Sequence, residues 1–476
     1  MDIAGREEEM AIFEELLHSP DSEFLAVTGR RRVGKTFLIR NYFNRLIVFD
    51  CSGLHEQSQL QQLENFCDEL KKKFPKLKTA AVPATWLQAF NLLKEYIDTI
   101  KGDSKKIIFL DELPWFETPR SGFKAALDNF WNNWCTRRND IILIICGSAA
   151  SWIMKNIIND RGGFHNRITR QIKLQPFTLA ETKYFLRKNR VALNEYDILQ
   201  LYMVLGGIPF YLKEIKPGKS VDQIIDGLFF QRNSLLKNEF QNLYASLFKN
   251  YQLHEKVVKV LASKDSGLTR AEIMAGAKFN SGGGFSTILQ ELEQSGFISV
   301  LQPFANIRKE TLYRLRDEYT LFYFKFLYQK AGATGWMQKA GQQSFKIWCG
   351  HSFENICLKH MPQIKKALGI QGIYTQEASW WYKGSKENEG VQIDLLIDRA
   401  DQCINICEMK FYNTVFEITK GYAAQLQKKK ALFEQYTKTK KNIFITLITT
   451  YGLVNNAYKL SVVSNEMVMD VLFTKA

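Results

Sequence analysis

Paired cysteines, paired histidines, internal repeats and long apolar runs are all missing from this 476-residue chain. Its eight cysteines stand at 51, 67, 135, 146, 349, 357, 403 and 407 with no C-x-x-C spacing and no histidine pair nearby, so neither zinc nor a disulfide framework is implied. Cys146 lies in an apolar run, where a reduced thiol behaves as a small hydrophobe. The longest apolar stretch, Ile141 to Met154, is interrupted by Gly147 and Ser148 and is too short to span a bilayer. Glu7, Glu8 and Glu9 make the start acidic, where a leader would be basic and then apolar. The expectation is a cytoplasmic protein with no membrane partner.

Hydrophobic residues at 46% and charged residues at 24% describe an ordinary folded chain, long enough for about three domains. The formal net charge of +15 speaks first of solubility and second of a polyanionic partner.

The most informative segment runs from Gly29 to Thr36 and fits G-x-x-x-x-G-K-[ST]. A strand-like run, Phe24 to Thr28, precedes it, and a helical pattern (Phe37, Leu38, Ile39, Tyr42, Phe43) follows, which is the setting a phosphate-binding loop needs. Gly29 and Gly34 let the backbone curl so that N–H groups and a helix N-terminus face phosphate, Lys35 neutralises β/γ oxygens, and Thr36 ligates Mg²⁺. Arg30, Arg31, Arg32, Val33 and Phe37 complete the candidate ATP-binding segment.

Lys106 to Leu110 reads as a buried strand ending in Asp111 and Glu112. Asp111 is placed to hold the Mg²⁺ shell and Glu112 to activate the attacking water. A further apolar strand, Ile141 to Cys146, delivers Ser148 to the same sheet edge as a candidate γ-phosphate sensor. Downstream, His165, Arg167 and Arg170 precede a fifth strand near Ile172, and either arginine suits the role of arginine finger.

These ordered motifs resemble the archaeal-type AAA+ ATPase family, close to the STAND and Orc/Cdc6-like P-loop ATPases. Gly5-Arg6-Glu7 resembles the family's N-terminal box near the adenine, Leu174 to Glu181 its entry into a helical lid, and Leu205 to Pro209 the Gly-x-Pro turn of that lid. The resemblance implies that Arg6, Gly207 and Pro209 contact nucleotide. From the residues alone, Gly206-Gly207 with Pro209 is a helix-ending turn.

From Leu253 the pattern changes to short helices at His254 to Ala262, Thr269 to Ala277 and Phe285 to Ser295, then strands at Phe297 to Val300 and Thr311 to Leu315. That order predicts a winged helix-turn-helix. Its third helix carries Gln290, Glu291 and Glu293 with no Arg or Lys, which argues against strong base readout. Arg308, Lys309, Arg314 and Arg316 make the wing basic and suited to phosphate contacts.

Towards the end, Glu354 lies in a helical segment and two strands follow, carrying Asp394, then Glu408 and Lys410. Strand alternation puts Glu408 and Lys410 on one face. A hairpin turning about Asp401 brings Asp394 opposite Glu408, where two carboxylates could share a cation such as Mg²⁺. The layout resembles the PD-(D/E)XK nuclease superfamily, with Ile393 where many members have proline. The resemblance implies catalytic roles for Glu354, Asp394, Glu408 and Lys410, and Gln425, Lys428, Lys429 and Lys430 suit a DNA backbone.

The expected fold is α/β: a P-loop (AAA+) parallel sheet over 1–175 with a helical lid at 176–245, a winged helix-turn-helix at 246–325, a linker at 326–349 and a restriction-endonuclease-like domain at 350–476. The expected function is an ATPase using ATP and Mg²⁺, coupled to a DNA-binding, Mg²⁺-dependent nuclease domain. The alternative is a STAND-like nucleotide switch whose nuclease-like domain only binds DNA or protein. An arginine finger acting in trans would require a homo-oligomer.

Overall fold

Isoleucine, leucine and phenylalanine runs bounded by glycine or acidic residues form the central strands of the first sheet. The strands are β1 (Glu23–Thr28), β2 (Ile47–Ser52), β3 (Lys106–Asp111), β4 (Ile141–Gly147) and β5 (Arg170–Lys173). All pair parallel, in the order β2-β3-β4-β1-β5. β1, β3 and β4 are buried along their whole length, as a parallel sheet covered on both faces demands. Helices Gln59–Lys73, Trp86–Asp98 and Phe123–Asn133 supply one cover: Phe66 and Leu70, Phe90 and Leu93, and Leu127 and Phe130 meet Phe24, Ile108, Leu143 and Ile145. These residues recur at three- and four-residue spacing, and each large side chain so buried contributes about 1.5–3 kcal/mol.

This computed structural model describes residues 3–77, 81–148, 150–158, 164, 166–248, 250–279, 282–304, 311–328, 335–382, 384 and 390–475. The chain forms two compact units, Met1–Pro176 and Phe177–Ala476. Among the described residues, no helix is long and apolar enough to cross a membrane.

The second unit opens with helices Leu179–Lys188 and Glu195–Leu205. Gly206 ends the latter in the left-handed region (φ 64°), Gly207 follows at φ 68°, and Pro209 starts the short helix Pro209–Leu212. Helices Tyr251–Leu261, Arg270–Gly276 and Gly282–Gln294 come next, with β6 (Leu268–Thr269), β7 (Ile298–Leu301) and β8 (Leu312–Leu315) forming an antiparallel sheet in the order β6-β8-β7. The two-residue β6 has no signal of its own in the sequence. Arg308 and Lys309 lie outside the described residues.

Of the segment 326–349, expected as a linker, the described residues 326–328 and 335–349 are packed instead. Trp336 is fully buried, donating from its indole to Asp222 (2.7 Å) and from its backbone to Asp226 (3.0 Å). Its ring meets Phe322, Phe326 and Phe345, so aromatic packing holds the residues around Trp336. Helix Gln343–Lys359 begins within the same segment. The segments expected as lid, winged helix and nuclease-like domain therefore fall in one compact unit.

A second five-stranded sheet closes the chain: β9 (Thr375–Tyr382), β10 (Val391–Arg399), β11 (Cys403–Lys410), β12 (Asn442–Thr449) and β13 (Asn465–Val468), ordered β13-β12-β11-β10-β9. β9, β10 and β11 pair antiparallel, whereas β11, β12 and β13 pair parallel. Helix Lys420–Thr437 connects β11 to β12, and its Phe433 packs on Ile393, Leu396, Ile404 and Ile406.

Gly207 tests the turn after helix Glu195–Leu205 directly. A Cβ there would overlap the Phe177 carbonyl, and the Gly207 carbonyl accepts from Phe177 N–H at 2.8 Å. Gly207→Ala is expected to destabilise the protein by at least about 2 kcal/mol, from strain at positive φ plus the clash. Chemical denaturation checks this; a neutral effect would mean that the turn relaxes freely.

Candidate functional site

Parallel pairing sets the first site. β4 lies between β1 and β3, so the loop after β1, the acidic end of β3 and Ser148 after β4 emerge at one sheet edge. Gly29 takes φ 146°, and a Cβ there would lie 2.5 Å from the Leu174 carbonyl oxygen, so only glycine fits where β1 becomes the loop. Gly34, at φ 94°, caps helix Lys35–Tyr42. Arg6 is itself left-handed (φ 67°) and buried, and it donates to the Val33 carbonyl at 3.1 Å. Arg6 thus braces the phosphate loop from the N-terminal segment. Arg31 and Arg32 are half-buried, Arg30 is buried, and Phe37 is exposed.

Lys35 is buried, and its ammonium donates to the carbonyls of Gly29 (2.8 Å) and Arg30 (3.1 Å) and to Ser148 Oγ (3.4 Å). Thr36 Oγ1 donates to Asp111 Oδ2 at 2.8 Å. These groups fit a nucleotide with Mg²⁺: an ammonium for phosphate oxygens, and a hydroxyl and carboxylate as hard oxygen donors side by side. Asp111 also accepts, through Oδ1, from Glu112 N–H (2.9 Å) and Cys146 Sγ (2.6 Å). Burial, then the Asp111 charge, pushes the Cys146 thiol far up, so it stays a protonated donor. The sequence offered no sign of this role, because Cys146 looks like any small residue in an apolar strand.

Glu112 stands at φ 48°, ψ 49°, unusual for a residue with a side chain. Ser148 fixes its carboxylate twice, from N–H to Oε2 (3.0 Å) and from Oγ to Oε1 (2.6 Å). Ser148 therefore touches both Lys35 and Glu112. Beside this turn, Gly53 and Gly147 leave no room for a side chain: a Cβ would lie 2.8 Å from Glu112 O and from Pro114 Cδ, respectively. Arg167 and Arg170 are both exposed; Arg170 opens β5, slightly earlier than its sequence pattern suggested. His165 lies outside the described residues.

The second site lies in the second unit. The β10–β11 ladder pairs Leu395 with Cys407 and Asp398 with Ile404, and one step further along this register Asp394 stands opposite Glu408. On the β9 side the register shifts between Ile393 and Leu396, a bulge at Asp394 of the kind that re-aims a side chain. Glu354, in helix Gln343–Lys359, and Asp394 line one cavity of about 430 Å³ with Gln392, Gln425, Lys428 and Lys429.

Each carboxylate there already has partners. Glu408 is buried and paired with Lys429, with the Tyr422 hydroxyl at 3.3 Å and Lys410 Nζ at 3.9 Å. Glu354 accepts from Arg314 Nη2 at 3.2 Å and lies 3.7 Å from His351 Nδ1. Burial works to raise the Glu354 carboxyl, but His351 and Arg314 outweigh it and hold it below its usual range. Asp394 accepts from Gln392 at 2.8 Å; burial and the Glu354 and Glu408 charges raise its carboxyl against the pull of Arg314. Among the described residues, no three of His, Cys, Asp and Glu are gathered to hold a metal ion. As the side chains stand, the expected cation shared by Asp394 and Glu408 is not prepared for, because Lys429 and Arg314 supply the positive charge.

Arg314 differs from its expected role. It is 4% exposed and turned onto Glu354, so it is not presented as a phosphate-contacting wing residue. Glu291 of the third helix is likewise engaged, accepting from His254 at 2.7 Å. Gly207 and Pro209, expected to contact nucleotide, lie in the turn already described, with backbone packing as the observed reason for Gly207.

Residues 3–215 match a protein family described as an ATPase domain predominantly from Archaea. An uncharacterized protein of Methanocaldococcus jannaschii, MJECL04, is 24% identical over 391 residues, 80% of this chain and 82% of that protein. Among solved structures, the Walker-type ATPase PABY2304 of Pyrococcus abyssi is similar with a TM-score of 0.49 and 18% identity, over 68% of this chain and 96% of that one. The ORC2 protein of Aeropyrum pernix, in ADPNP–ADP complexes, gives a TM-score of 0.43 and 13% identity, over 68% and 93%.

Two substitutions separate binding from turnover at the first site. Lys35→Ala is expected to weaken ATP binding about 100-fold or more, as a buried partner of phosphate oxygens is lost. Glu112→Gln is expected to keep binding and lower kcat about 10²- to 10⁴-fold, the usual worth of a general base. Nucleotide titration and phosphate release measure the two effects; normal turnover in Glu112→Gln would remove Glu112 from the chemistry.

Proposed function

We propose that this protein, an ATPase with an archaeal-type ATPase domain over residues 3–215, couples ATP turnover to a DNA-binding, nuclease-like C-terminal part. Lys35 neutralises the β/γ-phosphate oxygens, and the first-turn N–H groups of helix Lys35–Tyr42 face the phosphates. Thr36 and Asp111 hold Mg²⁺, which screens phosphate charge when bound. Glu112 takes the proton of the attacking water, and Ser148, bonded to both Glu112 and Lys35, relays the occupancy of the phosphate site to the base. One of Arg167 and Arg170 serves as the arginine finger from a neighbouring copy, for which their exposure leaves them available.

For the C-terminal part, the observation that carries the reading is the β10–β11 register, which lines up Asp394 with Glu408 beside a cavity edged by Gln425, Lys428 and Lys429. The order helix, β6, helix, helix, β7, β8 supports a winged helix-turn-helix between the two sites. Its third helix offers no basic side chain for base edges, so DNA contact there runs through phosphates. A second reading is favoured by the ion pairs Arg314–Glu354 and Lys429–Glu408: with both carboxylates neutralised by the protein, the pocket is a binding module and the chain a nucleotide switch.

Cleavage of labelled single-stranded, duplex and branched DNA with Mg²⁺ or Mn²⁺, with and without ATP, separates the readings. The nuclease reading expects cleavage that Asp394→Ala abolishes. No cleavage on any substrate, with ATP hydrolysis intact, would select the switch. Lys410→Ala is expected to leave ATP hydrolysis within about twofold of wild type, because Lys410 belongs to the other compact unit and not to the one that carries Lys35 and Glu112.

A further inference from the structure

A second cavity, of about 590 Å³, shares residues with the first. His351 and Glu354 line both cavities. One cavity is basic, edged by Lys428 and Lys429. The other is aromatic and basic together: Tyr196 from helix Glu195–Leu205, Lys346 and Ile347 from helix Gln343–Lys359, and Lys410, Phe411 and Tyr412 at the end of β11.

The rings there are flat against each other and still reach solvent. Tyr196 stacks on Phe411 (centroids 5.1 Å, planes 9° apart) and on Tyr451 (5.5 Å, 28°). Tyr412 is 47% exposed, and Ile347 is 53% exposed on the facing helix. Exposed apolar residues scattered singly need no explanation, but here they gather around a cavity that shares His351 and Glu354 with a polar pocket. Aromatic faces interleaved with ammonium groups bind unpaired bases, since every base has a π-face and every linkage an anionic phosphate. A duplex keeps its base faces inside the stack and cannot offer them to these rings.

We propose that the 590 Å³ cavity is a base-stacking subsite, and that an unpaired DNA strand runs from it, across Glu354, into the lysine-edged cavity. The choice of DNA rests on the function proposed above; the preference for an unpaired strand rests on the rings. Lys346 and Lys410 meet phosphates on the aromatic side and Lys428 on the other, while Tyr412 stacks a base.

The test is fluorescence anisotropy of the full chain with labelled single-stranded, overhanging and blunt duplex DNA of one sequence, in EDTA so that no strand is cut. Single-stranded and overhanging DNA are expected to bind at least about 10-fold more tightly than blunt duplex. Tyr412→Ala should weaken strand binding about 5- to 150-fold and blunt-duplex binding less than about twofold, with Tyr412→Phe restoring it, as for loss of one stacked base. Quenching of a 2-aminopurine base in the strand should disappear with Tyr412→Ala and persist with Tyr412→Phe. Equal losses on strand and duplex, no loss on either, or tighter binding of the same RNA strand would overturn the proposal. If no DNA is cut with Mg²⁺ yet Tyr412-dependent strand binding persists, the nuclease reading fails and the subsite stands. If duplex is cut without any preference for unpaired strands, the subsite fails and the nuclease reading stands.

Discussion

The parallel pairing of β4 between β1 and β3 is the constraint on which the ATPase site depends. Parallel neighbours release their C-terminal residues at one edge, so a lysine, a carboxylate pair and a serine that are far apart in the chain converge there. The ladder needs all three strands buried and straight, which their continuous Ile, Leu and Phe content provides. Once the edge is set, short bonds finish the site: Thr36 to Asp111, Cys146 to Asp111, and Ser148 to Glu112. The left-handed Glu112 is held against its own backbone preference by this network and by the close approach of Gly53 and Gly147.

The second unit solves an electrostatic problem of a different kind. Three carboxylates near one pocket would repel one another and are costly to leave buried and charged. Arg314, His351 and Lys429 offset that cost, each from a different element. Removing one partner of such a pair costs more than the pair is worth, because the other charge stays behind in a place poor in water. The same arrangement joins β8 to helix Gln343–Lys359 through the buried Arg314 guanidinium, and Asn355 adds a bond to the Arg316 carbonyl just past β8.

Much of this was legible in the residues. The phosphate loop, the strand ending in Asp111 and Glu112, and the serine after β4 are local patterns whose spacing carries their chemistry. The hairpin that turns near Asp401 follows from counting along alternating strands, and the paired register Leu395–Cys407 to Asp398–Ile404 has that count. The packing of 326–349 was not legible, because Trp336 is held by Asp222 and Asp226 more than a hundred residues away. Nor was the role of Arg314, which composition marks as a surface cation until its burial is known.

The sequence by itself determined the glycine-rich loop Gly29 to Thr36 and the strands β1, β3, β4, β10 and β11, because both follow from neighbours a few residues apart: glycine's freedom at positive φ, hydrophobic period, and residue type at strand ends. Only the tertiary structure decided which polar groups bond to which. Ser148 against Glu112, Cys146 against Asp111, Arg314 against Glu354 and Lys429 against Glu408 are pairings across strands and helices. Distance and burial set their strength, and neither quantity exists until the chain has folded.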